Sequence, residues 1–154
     1  MNEDFHDLLA ALLDVEARFL VVGAHAMAVH GVPRATGDID IWIASDPGNA
    51  GLVWTALARF GAPMAALGFS REDLSCPDQV IQIGLPPRRI DLLTAISGVE
   101  FEPAWAARVA HEVGGLRVPF IGRDELIRNK RAAARPKDLA DLEALGQPTR
   151  FKTS

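Results

Sequence analysis

The sequence predicts one α+β domain, with a mixed β-sheet flanked by helices and further helices at its C-terminal end. Three observations predict it. Apolar runs of strand length alternate along the chain with segments of helical periodicity. A Gly-Gly pair at 114–115 separates two apolar runs, as in a β-hairpin. Hydrophobic residues make up 49% of the 154 residues, enough for one core. We expect the domain to span 1–146, its C-terminal helical part to begin near 123, and a polar tail to occupy 147–154.

The first half of the chain predicts helices and strands in alternation. Apolar residues at helical spacing, from Phe5 to Ala17, predict an amphipathic first helix. A short apolar run then ends at Gly23, and an Ala-rich segment closes at Gly31, a residue typical of a helix end. The acid–apolar alternation after the next loop predicts a strand, and Asn49 is a candidate N-cap for the helix that follows. The predicted elements are helix 3–17, strand 19–22, helix 24–31, strand 38–44 and helix 50–60.

The second half predicts more strands and then helices only. Residues 61–77 read as irregular, with a short helix around 71–74. Two prolines at 86–87 separate two apolar runs, which predicts one strand on each side of them, and the hairpin at 114–115 predicts two more. Pro136 divides the helical end of the chain, because proline is favoured in the first turn of a helix. The predicted elements are strands 79–85 and 88–95, then helices 123–134 and 136–145.

The overall charge argues against one class of function. The net charge is −4 and the isoelectric point about 5.5, which is unlike a basic, non-specific nucleic-acid binder. Cys76 is the one cysteine, so the chain has no disulfide framework, and a reducing cytoplasm fits. The acidic N-terminus is unlike a signal peptide, and no apolar run reaches the length of a membrane span.

Two carboxylates open a strand that is otherwise apolar, in the stretch RATGDIDIWI. Asp38 and Asp40 are two residues apart, so on a strand their side chains point the same way. Burying unpaired charge is costly, which favours a cation between them. Mg²⁺ prefers carboxylate and phosphate oxygens. Asp91 enters an apolar strand in the same way, and three converging carboxylates can hold two metal ions for phosphoryl or nucleotidyl transfer.

A second feature lies upstream of these acids, in the stretch FLVVGAHA. A strand that runs into Gly23 and then a helix directs free backbone N–H groups at one spot, where a phosphate fits. The order is therefore a strand, a Gly turn, a helix, a loop and an acid–apolar–acid triplet. This order pairs a phosphate cradle with a metal site.

These motifs together resemble the DNA polymerase β-like nucleotidyltransferase superfamily, whose signature is a Gly followed by Gly or Ser, then an acid–apolar–acid triplet and a later acid on another strand. VVGAHAMAVHGVPRATGDIDIWI is similar to small bacterial nucleotidyltransferases related to AbiEii toxins and to minimal nucleotidyltransferase antitoxins. DELIRNKRAAARPKDLADLEAL resembles their tail helices. With RRIDLLTAISGVEF, the resemblance covers most of 19–145. It implies a nucleotidyltransferase-like mixed sheet and the transfer of a nucleoside monophosphate from an NTP with Mg²⁺, two ions being expected.

The resemblance also implies roles for individual residues. Asp38, Asp40 and Asp91 would be the catalytic, metal-binding acids, with Asp91 as the general base or the group that positions the metal. Gly23 would be the phosphate-loop glycine. Ala24 stands where the family often has Ser, so one polar contact to the triphosphate is missing. The remaining candidates for binding the nucleotide are Arg34, Thr36, Lys130 and Lys137.

Each of these residues also has a structural interpretation. Asp38 and Asp40 suit a solvated strand start with salt bridges to Arg34, and Asp91 suits pairing with Arg88 or Arg89. Arg34 fits phosphate contact and neutralisation of the acids equally well. The basic cluster Lys130, Arg131, Arg135 and Lys137 suits a solvated helix face balanced by Asp138 and Asp141. His25 and His30 are five residues apart, which is not the spacing of a helical metal pair, so both are taken as supporting residues.

Three functions remain open. The first is an Mg²⁺-dependent nucleotidyltransferase whose acceptor is a hydroxyl of a protein, an RNA 3′ end or a small molecule. The second is a binding module with this fold and little catalysis, which masks a partner protein as an antitoxin does. The third is a glycosyltransferase with a DxD metal motif, which usually needs a longer chain with a nucleotide-binding half before the DxD.

Overall fold

One six-stranded sheet runs through the part of the chain that the computed structural model describes, residues 2–85 and 88–147. Its strands are β1 (Phe19–Val22), β2 (Ile39–Ile43), β3 (Val80–Ile83), β4 (Ile90–Leu93), β5 (Val109–Val113) and β6 (Leu116–Phe120). The helices are α1 (Glu3–Asp14), α2 (Gly23–Val29), α3 (Pro47–Phe60), α4 (Met64–Leu67), α5 (Phe101–Ala106), α6 (Arg123–Ala133) and α7 (Pro136–Ala144). A 3-10 helix spans Arg71–Ser75.

The sheet is mixed, as the sequence predicts. The strand order is β3-β4-β2-β1-β6-β5. β2 runs parallel to β4 and β1 runs parallel to β6, whereas the other neighbours are antiparallel. Because β2 and β4 are parallel, both begin at the same edge of the sheet, and because β1 is antiparallel to β2, β1 ends at that edge. One edge therefore collects the end of β1 and the starts of β2 and β4.

Apolar side chains fill the core on the central strands. β1 is buried along its whole length, and Trp42 on β2 is 1% exposed. The apolar face of α1 is buried, and α1 packs on α3. α2 contacts β1 and β2, and α6 packs on α7. This packing fixes α2 beside the edge where β2 begins, and it couples α7 to α6.

The start of α3 differs from the prediction. The helix begins at Pro47, and its N-cap is Asp46, whose side chain accepts a hydrogen bond from the backbone N–H of Asn49. Asn49 lies inside the helix and is buried. Its amide accepts from the backbone N–H of Arg18 and donates to the carbonyls of Arg18 and Ala44. Asn49 therefore fastens the start of β1 to the end of β2 instead of capping the helix.

Element bounds also differ where local signals are weak. β1 has the predicted bounds, whereas the other predicted strands are shorter in the structure, and Asp38 precedes β2 instead of opening it. The predicted 3–17 helix ends at Asp14. α4 and α5 were not predicted: α4 has four residues, too few to show a helical period, and α5 contains Pro103. Proline is tolerated there because it lies in the first turn, where its missing N–H has no partner within the helix.

Other predictions are confirmed. The pair at 114–115 connects β5 and β6 as a two-residue hairpin, and Pro136 begins α7. The predicted strand break at 86–87 and the tail residues 148–154 lie outside the described residues. Among the described helices, none has both the length and the apolar character needed to cross a membrane.

Candidate active site

A cleft of about 760 Å³ opens at the sheet edge where β1 ends and β2 and β4 begin. Residues of the loop before β2 and of α6 and α7 complete its wall. All the candidate catalytic and nucleotide-binding residues from the sequence line this one cleft, although they are spread over more than 100 positions. They are Gly23, Ala24, Arg34, Thr36, Asp38, Asp40, Asp91, Lys130 and Lys137.

Asp40 and Asp91 lie side by side at this edge. They are register partners on the parallel strands β2 and β4, and Asp91 is 8% exposed. Burial, together with the charge of Asp91 and a hydrogen bond to it, raises the pKa of Asp40 to about 6. Lys137 and Lys130 oppose this rise in the pKa of Asp40 but do not cancel it. The cations around Asp40 therefore do not offset its burial and its closeness to Asp91.

Gly23 makes the close approach of Asp40 possible. Its φ is +68°, in the left-handed region that favours glycine, and a Cβ added there would overlap Oδ2 of Asp40. The glycine thus opens α2 and leaves room for the carboxylate directly beside the backbone. Ala24 follows it in the wall of the cleft.

Asp38 is held in place by its backbone neighbours. Its Oδ1 accepts a hydrogen bond of 2.8 Å from the backbone N–H of Arg89. The hydroxyl of Thr36 bridges the backbone N–H and carbonyl of Asp38, at 3.2 Å each. Thr36 therefore shapes the loop that presents Asp38 at the cleft.

Arg89 pairs with the acids, as the structural interpretation of Asp91 anticipated. Its Nε donates to Oδ1 of Asp91 at 2.7 Å and its Nη2 to Oδ2 at 3.1 Å, and Nη2 is 3.9 Å from Oδ2 of Asp38. Arg34, by contrast, forms no salt bridge with Asp38 or Asp40. It is bound to Asp141 on α7, so Arg89 is the arginine that neutralises the acids.

The donor set fits a hard divalent cation in its chemistry. Asp38, Asp40 and Asp91 present carboxylate oxygens on one cleft, and the raised pKa of Asp40 indicates that the site gains from a nearby positive charge. In residues 2–85 and 88–147, however, no group of three or more His, Cys, Asp or Glu side chains is arranged to hold a metal ion. Arg89 is bound to Asp91 in that arrangement.

The part of the wall that α6 and α7 form carries cations held by acids of α7. Lys130 is 6% exposed, and its Nζ lies 3.0 Å from Asp141 and 3.4 Å from Asp138. Asp138 also receives the Arg135 guanidinium and backbone N–H. Burial opposes ionisation of Asp138, but the hydrogen bonds from Arg135 and the charge of Lys130 outweigh it and lower the pKa of Asp138. Asp138 is therefore an ionised counter-ion for this wall, and Asp141 pairs with Lys130 beside it.

The prediction of a solvated basic face on α6 and α7 is therefore wrong for Lys130. Asp138 and Asp141 do balance the charge, but they do so inside the protein. Arg131 is exposed and donates to the side chain of Gln147. In the described part of the chain, no carboxylate lies within ion-pair distance of Lys137, which lines the cleft and acts on Asp40 through its charge.

His25 and His30, the two histidines considered from the sequence, do not line the cleft. His30 bonds through Nε2 to the carbonyl of Ile121 at 2.7 Å, which ties the end of α2 to the end of β6. The Nε2 of His25 is buried without a hydrogen-bond partner, and burial lowers the pKa of this ring. His25 also forms a hydrogen bond with the backbone of Asp38, so its interpretation as a supporting residue stays a prediction.

The sequence motifs did not assign roles to Arg89 and Asp141, which line the cleft, or to Asp138, which is buried behind Lys130. The pair RRID shows an arginine two positions before the acid, which is the spacing of neighbours on one face of a strand. In the sequence, Asp138 and Asp141 show only that acids balance the charge of Lys130. Their burial cannot be predicted from the sequence, because it depends on how α7 folds back onto α6.

Solved structures show which fold surrounds the cleft. No protein-family model and no curated protein matches the sequence. The structure is similar to a Thermotoga maritima protein provisionally described as a nucleotidyltransferase, with a TM-score of 0.56 and 15% identity over 92% of this chain and 88% of that one. It is also similar to the aminoglycoside nucleotidyltransferase ANT(2″)-Ia, in complex with adenylyl-2″-tobramycin, with a TM-score of 0.57 and 14% identity over 92% and 84% of the two chains. The fold is therefore nucleotidyltransferase-like, as the motifs indicated.

Proposed function

We propose that this chain is an Mg²⁺-dependent nucleotidyltransferase that moves a nucleoside monophosphate from an NTP to a hydroxyl acceptor. The observation that carries the proposal is the meeting of Asp38, Asp40 and Asp91 on one cleft, opposite a cationic wall, in a nucleotidyltransferase-like fold. The acids come from two strands and the cations from α6 and α7, so the cleft offers one side to metal and another to phosphate.

The three carboxylates would hold the metal, and Gly23, which makes room for Asp40, would be the phosphate-loop glycine. Bound Mg²⁺ would neutralise developing charge on the phosphates. Lys130 and Lys137 would contact the triphosphate, with Arg34 and Thr36 at the same wall. Asp138 and Asp141 fix Lys130 in the cleft, so this cation is already oriented before a nucleotide enters.

In the reaction, the acceptor oxygen forms a bond to the α-phosphorus and the bond from that phosphorus to the bridging oxygen of the β-phosphate breaks. Pyrophosphate leaves with the electron pair. The acceptor proton passes to a carboxylate, for which Asp91 is the candidate, and then to solvent. Asp91 can accept it only when Arg89 no longer engages both of its oxygens.

The acceptor belongs to one of three classes: a protein hydroxyl, an RNA 3′ end or a small molecule. ANT(2″)-Ia was solved with an adenylylated aminoglycoside, which supports a hydroxyl acceptor for a protein of this fold. The resemblance to AbiEii-related proteins favours a toxin–antitoxin context with a partner protein. The toxin–antitoxin context is therefore proposed from the sequence motifs, and the hydroxyl acceptor also from the solved structure.

One observation favours a second function, a binding module with little or no catalysis. Ala24 supplies no hydroxyl to a triphosphate, and Arg89 occupies Asp91. A protein whose acids stay occupied in this way would act through its surface, as a partner that masks another protein.

Transfer of label separates the two functions. The protein is incubated with each α-phosphate-labelled NTP, Mg²⁺ and a bacterial lysate that contains RNA, beside the double variant Asp38→Ala/Asp40→Ala. We expect label on a protein, RNA or small-molecule fraction with the wild type and none with the variant. Equal labelling by both proteins, or none for any NTP, would count against the transferase and favour the binding module.

A further inference from the structure

The backbone of Arg89 is fixed while its side chain lies at the cleft. The residue directly precedes β4, its N–H donates to Asp38 at 2.8 Å, and its carbonyl accepts from the N–H of Ile39 at 3.0 Å. These two bonds attach the residue to the start of β2. The side chain of Arg89 is 27% exposed and flexible, so its guanidinium can leave the acids without any change in the sheet.

The guanidinium of Arg89 occupies the oxygens that a metal would use. Both oxygens of Asp91 receive its donors, at 2.7 and 3.1 Å, and Oδ2 of Asp38 is 3.9 Å away. An arginine fork on a carboxylate is a strong, directional pair. A cation can bind Asp91 only by displacing that pair, because two positive charges cannot share the same oxygens at low cost.

A triphosphate offers Arg89 another partner. Phosphate oxygens match the guanidinium fork as well as carboxylate oxygens do. Arg89 lines the same cleft as Lys130, Lys137 and Arg34, so a phosphate group bound there is within the same enclosure. When a metal–nucleotide complex enters, the arginine can exchange a carboxylate for a phosphate and keep its charge neutralised.

We propose that Arg89 is a displaceable counter-ion that couples metal binding to nucleotide binding, and this inference rests on the proposed function. Without nucleotide, Arg89 keeps Asp91 and Asp38 closed to divalent ions. With nucleotide, it moves to the phosphates and the acids take the metal. Each ligand therefore raises the affinity for the other, and by linkage the factor is the same in both directions.

Calorimetric titration with Mn²⁺ tests the coupling without any need for turnover. The wild type and Arg89→Gln are titrated with and without a non-hydrolysable NTP analogue. We expect the wild type to bind Mn²⁺ about tenfold more tightly when the analogue is present. In Arg89→Gln, we expect Mn²⁺ alone to bind about tenfold more tightly than in the wild type, and the gain from the analogue to shrink.

Arg88→Gln is the matched control. Arg88 is exposed, and in the described residues its side chain forms no ion pair, so this variant changes the net charge equally without touching the acids. It should titrate like the wild type. Arg89→Lys keeps a charge but lacks the fork, and we expect intermediate coupling. A similar gain in Mn²⁺ affinity in Arg88→Gln would show a general charge effect and overturn the inference.

The outcomes also separate this inference from the proposed function. If Mn²⁺ binds the wild type with the analogue, and Arg89→Gln shows the same Mn²⁺ affinities, the metal site stands and the role of Arg89 is wrong. If neither protein binds Mn²⁺ under either condition, the proposed metal-dependent function itself is contradicted, and the inference falls with it.

Discussion

Asp40 lies between a second carboxylate and the backbone of Gly23, and its ionisation therefore costs stability. Its pKa of about 6 in the folded protein is above the ordinary value of 3.8. Between these two values, the folded chain keeps a proton that the unfolded chain has released. Stability therefore falls as the pH rises from about 4 to about 6, and above pH 6 the loss is complete.

The variant Asp40→Asn tests this cost. Asparagine resembles the protonated carboxyl group and can donate to Asp91, but it does not ionise. The difference in free energy of unfolding, Asp40→Asn minus wild type, is measured in metal-free protein. We expect this difference to be about 2 kcal/mol larger at pH 8 than at pH 4, in favour of the variant. Urea unfolding at the two pH values measures the change. Asp124→Asn, at an exposed acid of α6, is the control. If the stability difference between Asp40→Asn and the wild type does not grow with pH, ionisation of Asp40 does not cost stability.

Lys130 is a buried cation that neutralises two acids of α7. Replacing it by methionine keeps most of the side-chain volume but leaves Asp138 and Asp141 short of a partner. We expect Lys130→Met to lower the free energy of unfolding by about 3 kcal/mol at neutral pH. Arg131→Met removes a neighbouring exposed charge and should change stability little. Similar urea midpoints for the two variants would mean that the buried network contributes no more than a surface charge.

At the scale of elements, α2 positions the cleft through its first residue. Gly23 joins β1 to α2 with a positive φ and admits the carboxylate of Asp40. At the far end of the same helix, His30 holds the carbonyl of Ile121. α2 is therefore fixed at both ends, and a change at Gly23 cannot be absorbed by a simple shift of the helix.

Gly23→Ala is expected to cost more than its backbone strain. Gly31, at the other end of α2, also has a positive φ, of 95°, but an added Cβ there meets nothing within 4 Å. Gly31→Ala should therefore report the cost of the left-handed backbone alone, about 1 kcal/mol. Gly23→Ala should lose about 1–3 kcal/mol more, because the new methyl overlaps Asp40. Equal losses in thermal or urea unfolding would show that the contact is not tight.

Local patterns predicted the elements that have enough residues to show a period or a clear stop. The hairpin at 114–115 and the break at Pro136 are of this kind. α4 and α5 were missed because four to six residues carry little periodicity. The role of Asn49 was predicted wrongly because asparagine is equally suited to cap a helix and to bridge two strands from a buried position. Its partners, Arg18 and Ala44, are decided by how the strands meet.

At the scale of the whole molecule, the sequence motifs predicted which residues share one cleft, because the topology brings the end of β1 and the starts of β2 and β4 to one edge. The charge partners could not be predicted in the same way. From the sequence, Arg34 fits phosphate contact and neutralisation of the acids at 38 and 40 equally well. In the structure, Arg34 binds Asp141, 107 positions away. Such pairs depend on tertiary packing of α7, which no local pattern contains.

The proposed function requires that the three acids act together on a nucleotide. The likeness to nucleotidyltransferases at about 15% identity establishes the fold, whereas the claim about the acids rests on their positions in this chain. Removal of one carboxylate at a time is therefore more informative than comparison of overall shape.

The most direct test measures label transfer from an α-phosphate-labelled NTP by Asp38→Asn, Asp40→Asn and Asp91→Asn, each under the conditions that support transfer by the wild type. Asp124→Asn is the control. We expect each of the three variants to lose about 100-fold or more in rate, while the control keeps the wild-type rate. Near-wild-type transfer by any of the three would contradict the claim that these acids form the active site.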